Sequence, residues 1–157
     1  MQTLNLPSYP LKIINRSGKP HVFDVFRKRY VKLTPEEWVR QNFLWWMRNE
    51  KEYPASLIAV EASLTYNRMV RRADAIVYGR SAFPLMIIEC KAPAVKITGD
   101  VFDQIARYNF SFGVEYLVVT NGMEHYCCRK DAGSQGWTFL ESVPAYAQLV
   151  SSCRCHD

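Results

Sequence analysis

Three side chains have types and a spacing that could support chemistry. They are an aspartate and, fifteen residues later, a glutamate that is followed two positions on by a lysine. Asp74 opens the strand-like segment 74–78, and the apolar run 85–88 leads directly to Glu89 and Lys91. Because side chains alternate between the two faces of a strand, Glu89 and Lys91 should project from the same face. Burying both groups at the end of an apolar strand costs free energy unless each has a partner.

These residue types predict a site for a divalent cation. If the two strands pair, Asp74 and Glu89 can lie side by side at one end of the sheet. Two neighbouring carboxylates repel each other, and one of them takes up a proton unless a cation lies between them. Mg²⁺ prefers oxygen ligands and satisfies this requirement.

A helix is expected before these strands. Thr34 is a favoured N-cap, Pro35 suits the first helical position, and Glu37 completes a capping box. The pattern predicts a helix that continues to about residue 49. Its apolar residues cover most of the circumference near the C-terminal end, so we expect them in the core; they are Trp38, Val39, Phe43, Leu44, Trp45, Trp46 and Met47.

The strand pattern predicts an α/β fold with a mixed β-sheet flanked by helices. Segments 57–61, 74–78 and 85–91 are joined by short loops and should form an antiparallel meander. A second helix over 101–111 leads to a buried strand at 115–120, and such a crossover normally joins parallel strands.

Shorter elements are expected around this core. Asn121-Gly122 predicts a hairpin that returns through 123–129. The remaining segments are a single strand or tight hairpin at 21–33, short strands near 11–14 and at 137–140, and a last helix at 144–150.

Length and composition indicate one domain over residues 1–157, with 1–20 as an irregular arm and 151–157 as a frayed tail. The chain is 48% hydrophobic and 22% charged, so it can bury a sizeable core. Lys and Arg number 20 against 15 Asp and Glu, and the net charge of +5 favours a polyanionic partner. No segment has the length of a membrane span or the pattern of a signal peptide, and we expect a cytoplasmic protein with no membrane partner.

The five cysteines do not form a disulfide framework. Cys90 lies in an apolar strand, and Cys127-Cys128 are adjacent, which agrees with a reducing compartment. Cys153, Cys155 and His156 have the residue types of a zinc site, but zinc sites usually use wider cysteine spacing and a second ligand pair. We therefore expect no zinc there.

The residues that could support chemistry also resemble a motif of a known protein family. Asp74 followed by Glu89-x-Lys91, on the second and third strands after a leading helix, resembles the PD-(D/E)XK nuclease superfamily. Four segments are similar to the N-terminal domain of type I restriction enzyme R subunits: 36–41, 88–93, 101–108 and 117–122. The similarity covers roughly residues 20–130 and implies a restriction-endonuclease-like core.

The resemblance implies roles for the central residues. Asp74, Glu89 and the backbone carbonyl of Cys90 would hold Mg²⁺, with Mn²⁺ as a substitute. Lys91 would orient or activate the attacking water and stabilise the charge that develops on the phosphate. Glu37 would be a further acidic ligand or water-binding group, although it could serve only as a capping residue. Glu36 and Glu61 are the alternatives for that acid.

Outer residues are implied to contact DNA. Gln104 and Tyr108 match a glutamine-x-x-x-tyrosine pair that touches DNA or steadies the site, and their alternative role is an ordinary solvated helix face. Arg68, Arg71 and Arg72 form a candidate phosphate-binding patch, or plain surface charge.

The resemblance therefore implies a Mg²⁺-dependent endonuclease that hydrolyses phosphodiester bonds in DNA. The alternative is a catalytically silent module of the same fold that binds DNA or docks to a restriction or repair partner. Two departures matter: Ala73 replaces the proline of the superfamily motif, and the sequence has no Gly-x-x-x-x-Gly-Lys-Ser/Thr motor loop. The expected partners are DNA and either a second copy of the chain or a motor or specificity subunit in another chain.

Overall fold

A six-stranded mixed sheet forms the centre of the structure, a computed structural model that describes residues 1–153. The strands follow the order β4 to β9 across the sheet, and only β6 and β7 are parallel. Their bounds are β4 Ile58–Tyr66, β5 Met69–Tyr78, β6 Pro84–Cys90, β7 Tyr116–Thr120, β8 His125–Lys130 and β9 Trp137–Leu140. The predicted meander, the parallel pair and the hairpin after β7 are confirmed.

A second sheet of three antiparallel strands precedes the first helix. Its strands are β1 Ile13–Arg16, β2 Lys19–Asp24 and β3 Arg29–Lys32. The segment 21–33 is thus a hairpin, which was one of the two expected forms. Residues 13–20 belong to this sheet, so the expected irregular arm is shorter than predicted.

Helix α1, Pro35–Glu50, packs on one face of the large sheet. Thr34 Oγ1 accepts a hydrogen bond from the backbone N–H of Glu37 at 3.1 Å, which confirms the predicted N-cap. The helix buries Val39, Phe43, Leu44 and Met47 against Met86, Ile88 and Cys90 of β6 and their neighbours. The predicted burial is confirmed for these four residues, whereas Trp38, Trp45 and Trp46, which were also expected in the core, are half-buried.

Helix α2, Gly99–Phe110, joins β6 to β7 and packs on the opposite face. Phe102, Ala106 and Phe110 contribute to a second core cluster with Ile87 and Leu117 of the sheet. The sequence placed the start of this helix at 98–100, and Thr98 is its N-cap, accepting a hydrogen bond from Val101 N at 3.3 Å.

The C-terminal part differs from expectation in one detail. Helix α3, Tyr146–Ser152, includes residues 151 and 152, which the sequence placed in a frayed tail. Leu149 is fully buried and anchors this helix in the first core cluster. Of the residues considered for zinc, Cys155 and His156 lie outside the described residues. None of the described helices is long and apolar enough to cross a membrane.

Candidate active site

Three carboxylates occupy opposite positions on three neighbouring strands. The β4–β5 pairs on either side place Glu61 opposite Asp74. The β5–β6 register, extended by one residue beyond Ala75 and Ile88, places Asp74 opposite Glu89. The predicted adjacency of Asp74 and Glu89 along the strands is therefore present in the backbone.

On β4 and β5, the side chains before and after this row of carboxylates point to opposite faces of the sheet. Val60 and Ala75 pack with the core cluster on the α1 side, whereas Ala62 and Ala73 pack with the cluster on the α2 side. Glu61 has a φ of +48°, a left-handed conformation that interrupts the alternation of a regular strand. The carboxylate row thus lies where the regular two-sided pattern of the sheet ends.

Asp74 is held from two directions. Its Oδ1 accepts a hydrogen bond from Arg40 Nη2 at 2.7 Å, and its Oδ2 accepts one from the backbone N–H of Cys90 at 2.8 Å. Arg40 comes from α1, so this contact fixes the first helix to the site. Burial raises the pKa of the Cys90 thiol well above its usual value, and Asp74 adds to the effect.

Glu89 is buried and, within residues 1–153, has one cationic partner. Its Oε1 forms an ion pair with Arg71 of β5. The guanidinium of Arg71 lies 4.8 Å from the ring centroid of Tyr108 on α2. Arg71, a candidate phosphate-binding residue, and Tyr108, which the resemblance assigned to DNA, are therefore connected to Glu89 in this structure.

Lys91 follows β6 and is half-buried. Its backbone N–H donates to Thr120 O at 2.8 Å, which continues the parallel pairing by one residue. Among residues 1–153, no carboxylate lies within ion-pair distance of its ammonium. The charge of Lys91 is still felt at Glu36, where burial and Asp74 raise the pKa while Arg40 and Lys91 lower it.

Glu37 does not complete the predicted capping box. Its Oε1 accepts from Arg27 Nη2 at 2.6 Å and from Gln41 Nε2 at 2.8 Å, and its Oε2 accepts from Arg40 Nη1. Both oxygens are therefore committed to side chains of the protein. The cap itself is supplied by the Thr34 hydroxyl.

The sequence did not identify Arg27 and Arg40, which organise this end of the molecule. Arg27, after β2, contacts the fully buried Asp24, Glu37 and, at 2.9 Å, Glu61. Burial alone would lower the pKa of Arg27, but hydrogen bonding and charge from Asp24 and Glu37 raise it. The available signal was the spacing of Glu36, Glu37 and Arg40, which share one helix face.

The remaining predicted residues lie on the outside. Gln104 is exposed one turn before Tyr108 on α2. Arg68 is exposed in the turn between β4 and β5, and Arg72 pairs with Glu61 at 3.1 Å. The structure thus connects Arg71, Arg72 and Tyr108 to the carboxylate row. Within residues 1–153, Gln104 and Arg68 make no such connection.

The donor chemistry suits a hard divalent cation, but the present arrangement is one of ion pairs. Asp74, Glu89 and the Cys90 carbonyl offer oxygen ligands only. Within residues 1–153, no group of three or more His, Cys, Asp or Glu side chains is arranged to hold a metal ion. Arg40 and Arg71 supply the positive charge that the two carboxylates require.

Comparison with known proteins identifies the family. The family model described as "Type I restriction enzyme R protein N terminus" matches residues 35–144, more than half of the chain. A fragment structure of a putative HsdR subunit of a type I restriction enzyme from Vibrio vulnificus YJ016 is similar, with a TM-score of 0.54 and 17% identity.

That structural similarity covers 76% of this chain and 25% of the Vibrio chain, so the present chain spans about a quarter of that fragment. The search of curated proteins returned no match. The family match includes α1, the carboxylate row and α2. The chain belongs to the family of type I restriction enzyme R-protein N-terminal domains.

Proposed function

We propose that this domain is a metal-dependent endonuclease with a restriction-endonuclease-like core that hydrolyses phosphodiester bonds in DNA. The observation that supports this function best is the backbone register that places Asp74 opposite Glu89, with Lys91 two residues farther along the same chain segment. Family membership supports it independently, because a type I restriction enzyme acts on DNA with other subunits in one assembly.

The proposed roles follow from the donor set. Asp74, Glu89 and the backbone carbonyl of Cys90 would hold Mg²⁺ or Mn²⁺. When bound, such an ion lowers the pKa of a water molecule and neutralises charge on the phosphate. Lys91 would place a second positive charge beside the same phosphate, since no carboxylate within residues 1–153 pairs with it.

Arg40 and Arg71 have a defined place in this proposal. They neutralise Asp74 and Glu89 when no metal is bound, and each must release part of its contact before a cation can replace it. Glu37 acts through Arg40, because both of its oxygens are already bound by Arg27, Gln41 and Arg40. Glu37 is thus a positioning residue in this scheme.

A silent module that binds DNA is the second candidate function. The observation that favours it is the pairing of both carboxylates with arginines, together with the lack of a three-ligand cluster in the described part of the chain. Such a domain would bind DNA through its basic side chains and leave hydrolysis to another protein.

The two functions are separated by cleavage of supercoiled plasmid DNA in Mg²⁺ or Mn²⁺. We expect nicking that EDTA abolishes and that Lys91→Ala reduces by at least about a hundredfold. Lys96→Ala, which removes an exposed lysine from the neighbouring loop, is the matched control and should cleave like the wild type.

If no cleavage is seen, calorimetric titration with Mg²⁺ distinguishes a silent module from a wrong site assignment. Binding that Asp74→Asn weakens, without cleavage, would support the silent module. If neither cleavage nor an Asp74-dependent metal isotherm is found, the site assignment is wrong.

A further inference from the structure

The hairpin formed by β4 and β5 continues beyond the other strands. β5 pairs with β6 from Ala75 to Tyr78, whereas its pairing with β4 continues to Met69 opposite Tyr66. Residues 63–72 therefore form a two-stranded ribbon that extends past the carboxylate row, and we call this ribbon the arm. Its tight turn has two residues of positive φ, Asn67 at +48° and Arg68 at +65°.

The arm is basic and carries exposed apolar side chains. It contains three arginines, at positions 68, 71 and 72, and no acidic residue. Val70 is 64% exposed and Tyr66 is 43% exposed, which is unusual for large side chains on two adjacent strands. The side chain of Arg72 is also largely exposed. The arm is therefore suited to an anionic partner with some apolar surface.

One face of the arm is braced, and the other is open. Leu64 is buried, and the ring of Tyr66 lies so close to Gly113 that an added Cβ there would approach it within 3.0 Å. Arg71 lies over Tyr108 of α2. The opposite face, with Ser63, Thr65, Val70 and Arg72, is exposed. The end of α2 thus fixes the direction in which the arm projects.

We infer that the arm inserts into the major groove of duplex DNA beside the proposed site. This inference rests on the proposed function, because it takes DNA as the partner, and it adds the segment of the chain that enters the groove. The major groove of B-DNA is about 12 Å wide and admits a two-stranded ribbon. Arg68 and Arg72 contact phosphates and guanine edges, and Val70 contacts the apolar edge of a base.

The arm also connects the groove to the carboxylates. Arg72 lies two residues before Asp74 on the same strand, and Arg71 is paired with Glu89. Duplex DNA held by the arm therefore lies next to the row formed by Glu61, Asp74 and Glu89.

The test is fluorescence anisotropy of a labelled duplex of about two helical turns and of the matching single strand, both in EDTA so that nothing is cleaved. The first variant is Arg68→Gly with Arg72→Gln, because glycine after Asn67 favours this tight turn. The second is Val70→Glu at a largely exposed position. Lys12→Gln with Lys19→Gln is the control, since it removes two exposed charges from the small sheet. Thermal unfolding checks that every variant is folded.

We expect the double arginine variant to bind the duplex on the order of tenfold more weakly and to lower the slope of log K against log salt by about 2. Val70→Glu should weaken duplex binding at least as much, while the control should change it little. The single strand should bind weakly to the wild type and should lose less affinity in the arm variants.

Equal duplex affinity of wild type and both arm variants would show that the arm does not enter DNA. Equal losses for duplex and single strand would overturn the insertion of the arm into a groove of the duplex. Because these measurements contain no metal, they are independent of the nuclease proposal. That proposal fails only if the cleavage and metal-binding experiments with Lys91→Ala and Asp74→Asn fail.

Discussion

The two carboxylates at the centre of the site are held in contrasting ways. On the α1 side, Asp74 belongs to a network in which Arg27 and Arg40 bridge several acids from different elements. On the α2 side, Glu89 has a single cationic partner, Arg71, whose other contact is the ring of Tyr108. The first arrangement has many connections, and the second has one.

From this difference we infer that the ion pairs around Asp74 are structural and that the contact between Arg71 and Glu89 can be released. Loss of one contact in the α1-side network leaves each acid with other partners, so the network holds the small sheet, α1 and the large sheet together. Loss of the Arg71 contact frees Glu89 and leaves the rest of the molecule in place. We therefore expect the α1 side to determine stability and the α2 side to determine how readily a cation or DNA can enter.

Arg27→Met should produce the largest loss of stability. The change leaves Asp24, Glu37 and Glu61 facing one another without their shared cation, and Asp24 is fully buried. Breaking a buried ion pair in this way costs about 3–5 kcal/mol of the free energy of unfolding. Urea denaturation followed by tryptophan fluorescence measures it.

Arg72→Met is the matched control for that experiment. It removes an arginine that also pairs with Glu61 but whose side chain is 68% exposed, so the expected loss is at most about 1 kcal/mol. Similar losses for the two variants would mean that the α1-side network does not stabilise the fold.

Arg71→Met should cost less than Arg27→Met because it leaves only one carboxylate, Glu89, without a partner. A buried acceptor that loses its partner costs about 1–3 kcal/mol, and the lost contact with Tyr108 adds to this. The same denaturation experiment measures it. A loss as large as that of Arg27→Met would contradict the division between the two sides.

Mg²⁺ should restore part of the stability lost in Arg71→Met. A ligand that binds only the folded state stabilises it by RT ln(1 + [L]/Kd), and Glu89 is free to bind the ion in this variant. At millimolar Mg²⁺ we expect about 1 kcal/mol more stabilisation than in the wild type, measured as the shift in melting temperature. The double variant Arg71→Met with Glu89→Gln should lose this response, and a response that persists would place the ion elsewhere.

Much of the scaffold could be predicted from the sequence because its signals are local. The N-cap at Thr34, the apolar run that becomes β6 and the Asn121-Gly122 turn each depend on residues within a few positions. Helix α2 between two apolar strands predicted the parallel pair. The register that brings Asp74 opposite Glu89 followed from these elements.

The partners of the site residues could not be predicted in the same way. Arg27 reaches Glu37 and Glu61 only because the small sheet packs against α1 and β4, and no local pattern encodes that packing. Alternation with period two also fails at Glu61, where a left-handed residue moves the neighbouring side chains to the other face. Glu37 has the correct spacing for a capping box. Its carboxylate binds arginines instead, because these charge-assisted hydrogen bonds are stronger than one to the backbone N–H of the N-cap.

Glu36→Gln should give the smallest change and should increase stability. Burial and the neighbouring Asp74 raise the pKa of Glu36, so the folded protein binds its proton more tightly than the unfolded chain does. The ionised carboxylate therefore opposes folding above the folded pKa, and the penalty disappears as the pH falls below the unfolded pKa. Because this side chain is 45% exposed, solvent limits the gain at neutral pH to less than about 1 kcal/mol. Denaturation from pH 7 to pH 4 should show the gain over the wild type shrinking with acid. A variant that is less stable than the wild type at pH 7 would mean that the contact with Arg40 outweighs burial.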